Sequence, residues 1–356
     1  MKRAYRLALK AHPSPNPKVG AVIVKDGKII AEGYHKEFGS PHAEKIAIEK
    51  AKDRVKGSTI YVTLEPCNHY GKTPPCTELI IKAGIKKVII GQIDPDPLVK
   101  GKGIERLKKA GIEVVTGIGK DFIKELYYDY NIHRTKKRPG VRVKLATSID
   151  GKIATYIGDS KWLSSLKSRT YVHRLRNEVD AIMIGKSTLL KDNPSLSPYL
   201  IRSNYEPIKI IVATKIDFIP EKYKLFQEKR NRIIIAYNEI EEKFLSYLTR
   251  DNIELLKIEK DETGKIDLKE LLYQLGDKGI ISVMAEGGGK LTTSLIEKRL
   301  VDRLYIFLTP KLIGEDGISW FQIKGINSVS KTIKLKEIKY KKIDDDLLIK
   351  GEIEYV

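Results

Sequence analysis

The chain has only two cysteines, and both fall in one short segment, EPCNHYGKTPPC, where Pro66 precedes Cys67 and eight residues separate Cys67 from Cys76. Two cysteines in 356 residues cannot form a disulfide framework, so their local context decides what they do. About one helix and one strand earlier stands the triplet HAE, His42 to Glu44, and a strand-like run STIYVTL at 58–64 delivers the first cysteine. One imidazole and two thiolates suit a tetrahedral zinc site whose fourth position stays open for water, as catalysis rather than structural support requires. Any fold for this chain must therefore bring His42, Cys67 and Cys76 to one point.

H-x-E followed by P-C and a second cysteine resembles the signature of zinc-dependent nucleoside and nucleobase deaminases. Each half alone is weak, because HAE triplets are common and a cysteine pair is often core filler. Their order, together with Pro66 and the preceding strand, makes the zinc reading specific. Zinc lowers the pKa of a bound water from about 15.7 to roughly 7. Glu44 is then placed to take that proton and return it to a ring nitrogen and the departing amine. The eight-residue gap departs from the two-residue gap of tRNA adenosine and cytidine deaminases, and it puts His69, Gly71 and Lys72 where they can read a larger, phosphorylated substrate.

Around this constellation, helical and strand periods alternate. VGAVIVKDGKIIAEGY at 19–34 reads as a hairpin about Asp26-Gly27. A helix over 42–55, the strand 58–64, a helix over 76–84, the strand KKVIIGQ, the helix IERLKKAG, the strand IEVVTG and a helix over 120–132 follow. Such alternation builds a sheet covered by helices. The basic stretch HRTKKRPG at 133–140, ending in Pro139-Gly140, reads as a linker, which gives two domains, 1–138 and 139–356. With 41% hydrophobic and 31% charged residues the chain can bury two cores, and no apolar run reaches membrane-span or secretory length, so a cytoplasmic protein with no membrane partner is expected.

The second segment is again α/β. It opens with VRVKLATSIDGKIAT, continues with the strands IKIIVAT and RIIIAY and with helices near 239–250 and 267–276, and then runs IISVMAEGGGK into the helix LTTSLIEKRL. Gly287 to Gly289 at a strand-to-helix junction form either a phosphate cradle or a tight turn. Neither the Walker nor the Rossmann glycine spacing is present. The formal charge of +20 could draw nucleic acid or phosphorylated ligands, but it is scattered, with no long basic block or aromatic platform, and reads as a solvated surface rather than a nucleic-acid face.

The strings PNPKVGAVIV, PHAE, TLEPCNHYGKTPPC, DPDPLVKGKG, KLATSIDGK, HRLRNEVDAIMIGKSTLLKDNP, AEGGGKL and LVDRLYIFLTPKLIG, spread over almost the whole chain, resemble the bifunctional riboflavin-biosynthesis deaminase-reductases. The resemblance implies a cytidine-deaminase-like three-layer α/β domain followed by a dihydrofolate-reductase-like α/β domain, with Zn²⁺ and NADPH as cofactors. The implied substrate is a small phosphorylated diaminopyrimidinone, whose 2-amino group is hydrolysed before its ribosyl chain is reduced to ribityl. The implied assembly is a homo-oligomer, dimer or tetramer. By position, His42, Cys67 and Cys76 are the implied zinc ligands and Glu44 the proton shuttle. Asn16, His35, His69, Lys72 and Asp94 are the implied substrate contacts of the deaminase. In the reductase the resemblance assigns Lys144 to the reacting sugar and Ser160, Arg176, Leu196, Arg202 and Glu286 to substrate, with Arg176 gripping a phosphate by paired hydrogen bonds. It assigns Ala146, Trp162, Thr188, Asp192, Gly288, Gly289, Lys290, Leu291, Thr292, Thr293 and Ser294 to NADPH. A shorter loop before PNP, Asp96 in DPDP where Asn is frequent, and an insertion around Pro198 depart from the pattern. The competing reading, a nucleic-acid or nucleoside deaminase with an accessory domain, predicts P-C-x-x-C and leaves the second half without a role.

Overall fold

The computed structural model describes residues 1–70, 74–203, 205–228 and 230–355. The chain divides into two compact units, Met1–Lys137 and Arg138–Val356. In the first, β1 (Gly20–Lys25), β2 (Lys28–Tyr34), β3 (Thr59–Leu64), β4 (Lys87–Gln92) and β5 (Glu113–Thr116) form one sheet in the order β2-β1-β3-β4-β5. The β1–β2 hairpin turns at Asp26-Gly27, both with positive φ, and β3, β4 and β5 run parallel. Among the described residues its α-helices are α1 (Lys2–Ala8), α2 (Ala43–Ala51), α3 (Cys76–Lys82), α4 (Lys102–Lys109), α5 (Lys120–Leu126) and α6 (Tyr128–Lys136). Ile23, Ile60, Val62, Val88 and Ile90 point from the sheet onto Ala43, Ala47, Ile80 and Leu107 of the helices. The alanine face of α2 lets its backbone lie close to the sheet, which sets the height of its first turn over the ends of the strands.

The sequence expectation of one helix over 120–132 and a linker from 133 differs from the structure. The helix breaks at Tyr127, where α5 gives way to α6, and α6 continues through His133 and Arg134 to Lys136. Tyr127, fully buried, donates to Thr63 Oγ1 (2.7 Å) and to Lys18 O (3.0 Å), so the break serves to anchor a side chain. The stop comes from Lys137 in the left-handed region, and β6 already starts at Gly140.

The second unit is built on a nine-stranded sheet, β11-β10-β9-β8-β12-β6-β13-β16-β15. Its strands are β6 (Gly140–Ser148), β8 (Ala181–Gly185), β9 (Ile208–Ile216), β10 (Ile233–Ile240), β11 (Ile253–Lys257), β12 (Ser282–Glu286), β13 (Arg303–Thr309), β15 (Lys334–Ile343) and β16 (Asp346–Glu354); β7 (Lys152–Ala154) and β14 (Ile318–Ser319) pair separately. From β11 to β13 the neighbours are parallel, and the β15–β16 hairpin closes the edge antiparallel. Parallel strands buried on both faces read as continuous apolar runs. Met183, Ile234 and Val283 accordingly face one core, and Ile182, Ile235 and Met284 the other. The helices are α7 (Leu166–Arg176), α8 (Lys186–Asp192), α9 (Lys224–Gln227), α10 (Leu268–Asp277) and α11 (Gly289–Glu297). The helix expected near 239–250 is replaced: β10 runs on to Ile240, paired with Ile216 of β9, and Glu242–Leu248 is a 3₁₀ segment that buries Phe244 and Leu248. Because β12 is inserted between β6 and β8, the chain direction across the sheet switches there, and such a switch point opens a ligand crevice at the carboxyl ends of the strands.

Candidate metal centre and cofactor cleft

His42 occupies the position just before α2, Cys67 follows β3 and Pro66, and Cys76 opens α3. Their ligand atoms lie within 4.8 Å of one another. His42 Nδ1 is 3.3 Å from Cys76 Sγ and 3.6 Å from Cys67 Sγ. A tetrahedral zinc with Zn–S of about 2.3 Å and Zn–N of about 2.0–2.1 Å requires N···S edges of roughly 3.5 Å, so the triangle has the size and donor chemistry of a zinc site. The Cys67 thiol is pulled down by its contacts with Cys76 and His42 and accepts the Cys76 backbone N–H at 3.4 Å, while the contact with Cys67 pushes Cys76 up. His42 is raised to about 9 by the Cys67 contact.

Glu44 lies in the first turn of α2, only 3% exposed, and burial raises its carboxyl to about 7. A carboxyl in that range can both take and return a proton near neutrality. The other expected groups of this unit divide. Asn16 Nδ2 donates to His35 Nε2 (3.0 Å), which leaves the His35 proton on Nδ1, facing Pro41 O at 3.2 Å. His35 is buried, its pKa lowered by that burial, and its ring packs edge-on to His42 at 5.3 Å. Asp94 is buried, with its carboxylate accepting from Asp96 N (2.9 Å) and Tyr130 O–H (3.3 Å), and burial lifts its pKa to about 6. Asp96 itself faces Arg134 at 3.6 Å. His69 is exposed, and Lys72 lies outside the described residues.

One buried group was not singled out in the sequence. Glu65, 4% exposed, accepts four backbone N–H groups: Gly103 (3.0 Å) and Ile104 (3.2 Å) on Oε1, Gly101 (3.0 Å) and Asp94 (3.3 Å) on Oε2. It ties the segment 94–104, including Asp94 and the first turn of α4, to the loop that carries Cys67. Gly103 permits the approach, since a Cβ there would sit 2.2 Å from Pro66 O. The available signal was a carboxylate placed between a buried strand and Pro66.

In the second unit a cavity of about 1280 Å³ opens at the ends of β6, β8, β9 and β12. Lys144, Ala146, Ser160, Trp162, Arg176, Thr188, Asp192, Leu196, Glu286, Gly288, Gly289, Lys290, Leu291 and Ser294 all line it. Three expected residues do not. Arg202 is exposed away from the cavity, and Thr292 and Thr293 are buried on the inner side of α11, where Thr293 Oγ1 accepts Gln322 N–H (3.2 Å). Six consecutive helical residues, 289–294, cannot all face one way, and the 3.6-residue period takes these two threonines inward.

The paired hydrogen bonds of Arg176 go to Glu286 (Nε–Oε1 2.7 Å, Nη2–Oε2 2.9 Å), so its fork is occupied by a carboxylate rather than left open for a phosphate. Burial opposes the Glu286 charge, but Arg176 and Lys144 outweigh it and hold the carboxyl at about 2. Lys144, paired in register with Glu286 across β6 and β12, has its pKa lowered by burial against the pull of Glu286. The glycine run is closely packed: Gly287 has φ +122°, a Cβ there would meet Thr188 Oγ1 at 2.7 Å, and Gly288 N–H donates to that hydroxyl at 3.3 Å. Gly288, Gly289, Lys290 and Leu291, at the start of α11, line the cavity, and a helix start is where anions are commonly held.

The RibD C-terminal domain matches residues 139–349, and the cytidine and deoxycytidylate deaminase zinc-binding region matches residues 1–92. The riboflavin biosynthesis protein RibD of Aquifex aeolicus is 39% identical over 98% of this chain and 96% of its own length. The chain belongs to the RibD family. Like its relatives it is an enzyme of riboflavin biosynthesis that joins a zinc-type deaminase domain to a reductase domain of dihydrofolate-reductase-like fold. The solved diaminohydroxyphosphoribosylaminopyrimidine deaminase/5-amino-6-(5-phosphoribosylamino)uracil reductase of Thermotoga maritima superimposes with a TM-score of 0.84 at 37% identity, covering 99% of this chain and 97% of that one. Acinetobacter baumannii RibD gives 0.87 at 31% identity, with coverage of 99% and 97%. Among the described residues no helix is long and apolar enough to cross a membrane.

Proposed function

We propose that residues 1–138 hydrolyse the 2-amino group of 2,5-diamino-6-(5-phosphoribosylamino)pyrimidin-4-one, and that residues 139–356 reduce the ribosyl chain of the product to ribityl with NADPH. The observation that carries the reading is a buried acid, Glu44, beside a His-Cys-Cys triangle of zinc dimensions, on a chain whose other unit holds a glycine-lined cleft with a lysine at its floor. His42, Cys67 and Cys76 would hold zinc, which supplies the Lewis acidity that makes water nucleophilic near neutrality. Glu44 takes one proton of the attacking water and delivers it to the pyrimidine nitrogen, and a second transfer lets the amine leave as ammonia. Asn16 and His35, hydrogen-bonded to each other beside His42, orient the ring, and Asp94 on the Glu65-pinned segment contacts the substrate.

NADPH, held by Thr188, Gly288, Gly289, Lys290, Leu291 and Ser294, would supply the hydride in the reductase. Lys144, with its pKa lowered, donates a proton to the opening sugar, and Glu286 and Arg176 hold the chain in place. The basic surface is solvated and the partner is this small phosphorylated pyrimidine rather than nucleic acid; we assign the enzyme to the cytoplasm, as a homo-oligomeric dimer or tetramer. Glu44→Gln tests the division of labour. Ammonia release should fall by at least about a hundredfold, the usual size of a general acid–base contribution, while NADPH oxidation on pre-deaminated substrate is retained. Normal deamination by this variant would remove Glu44 from the mechanism.

A further inference from the structure

Lys209 is the one lysine among the described residues that is fully buried, and it stands on β9 between core strands. Its neighbours Ile210 and Ile211 are also fully buried, so an apolar side chain would satisfy this stretch of sheet. A buried ion pair is at best a weak source of stability and is better suited to fixing one arrangement of the groups around it. The Lys209 ammonium donates to Glu206 Oε1 and to Pro207 O (2.9 Å). The same Glu206 oxygen accepts the Ser197 hydroxyl at 2.7 Å. The Ser197 carbonyl accepts Arg176 Nη1–H at 3.3 Å, and Arg176, which lines the cleft, carries the fork to Glu286. The residue before Ser197 is Leu196, 2% exposed, lining the cavity and held at φ +59°. A bulky residue keeps that conformation only where its surroundings over-determine it.

We propose that Lys209, acting through Glu206 and Ser197, is a positioning residue of the reductase: it locks the Leu196–Ser197 turn and the outer edge of Arg176, and so sets how tightly the reductase holds its substrate. The inference rests on the reading of this cleft as the reductase site. Lys209 touches no reacting group. Its charge keeps the Glu206 carboxylate turned inward, and that carboxylate holds the serine. Without the cation, Glu206, already 28% exposed at its side chain, turns to water and releases Ser197.

Three variants, Ser197→Ala, Lys209→Met and the double Lys209→Met/Glu206→Gln, separate positioning from bulk stability. Ser197→Ala removes the link and leaves the ion pair intact, and Lys209→Met/Glu206→Gln replaces the charges with a neutral side chain that still accepts the serine hydroxyl. With pre-deaminated substrate, Ser197→Ala and Lys209→Met should raise KM about tenfold, the loss of one hydrogen bond to a charged group, with kcat changed by less than about twofold. The double variant should return KM to within about threefold of the parent. Backbone hydrogen exchange reads the same device independently of turnover: the amides of Ser195, Leu196, Ser197, Tyr199 and Leu200 should exchange faster in both single variants and recover in the double, with β9 and β10 unchanged. Unaltered exchange at these five amides in Ser197→Ala overturns the proposal, as does faster exchange spreading through β9 in Lys209→Met without recovery in the double. A parent enzyme that fails to oxidise NADPH on this substrate would instead contradict the assigned reaction, and the exchange pattern would still decide the role of Lys209.

Discussion

Glu65→Gln changes one atom and almost no volume, yet it strikes the bond set that joins the metal loop to the Asp94 segment. The amide keeps one oxygen and therefore two of the four backbone N–H bonds; its NH₂ faces the other two donors. Hydrogen bonds to a charged acceptor contribute about 1.5–3 kcal/mol each, which puts the loss of two at roughly 3–6 kcal/mol. Gly101 is partly exposed and recovers some of this through water, so about 3 kcal/mol is expected. The negative charge at the start of α4 is lost as well, worth up to about 1 kcal/mol. For a unit of this size, about 3 kcal/mol lowers the melting temperature by roughly 10 °C. Calorimetry of the full chain, with zinc loaded, should show a deaminase transition lowered by that amount and an unmoved reductase transition. Deaminase KM should rise with it, because Asp94 rides on the pinned segment. A shift below about 3 °C would refute the claim that the four bonds hold this segment.

Three further outcomes are expected. Gly287→Ala should weaken NADPH by at least about tenfold in a fluorescence titration while leaving ammonia release unchanged, since the added Cβ meets Thr188 Oγ1 and φ is +122°. Chelation should abolish ammonia release and lower the deaminase melting transition, with NADPH binding retained and both deaminase effects reversed by added zinc. Asp94, raised by burial from 3.8 to about 6, is more easily ionised in the unfolded chain, so its contribution to stability is lost as pH rises from about 4 to 6. Asp94→Asn should remove that slope, flattening stability over this window by at most about 3 kcal/mol in denaturant melts at a series of pH values. An unchanged slope would place the ionisation elsewhere.

Local residue chemistry was the most legible part of this chain. His42, Glu44, Cys67 and Cys76 announce themselves because metal binding and proton transfer tolerate few residue types, and the helix before Lys52 and the strand before Pro66 carry their own periodicity. The continuous apolar strands of the second unit were equally plain. The hidden features depend on partners distant in the chain. Nothing near Arg176 says that its fork meets Glu286, 110 residues on, and nothing near Glu65 says that four amides from 94 to 104 converge on it. The Glu242–Leu248 segment carries a helix-like apolar spacing, yet the β10 ladder with β9 takes its first residues, and only a 3₁₀ turn remains. Thr292 and Thr293 followed the glycine cradle in sequence, but helical period turned them into the core.

The proposed enzyme performs two chemistries in order on one chain. The measurement that tests this most directly follows ammonia and NADPH absorbance together in one tube, with zinc-loaded protein and the diaminopyrimidinone ribosyl phosphate. Ammonia should appear first and NADPH oxidation should follow with a lag, to equal final amounts. NADPH loss without ammonia, or ammonia with no NADPH loss after full deamination, would contradict it.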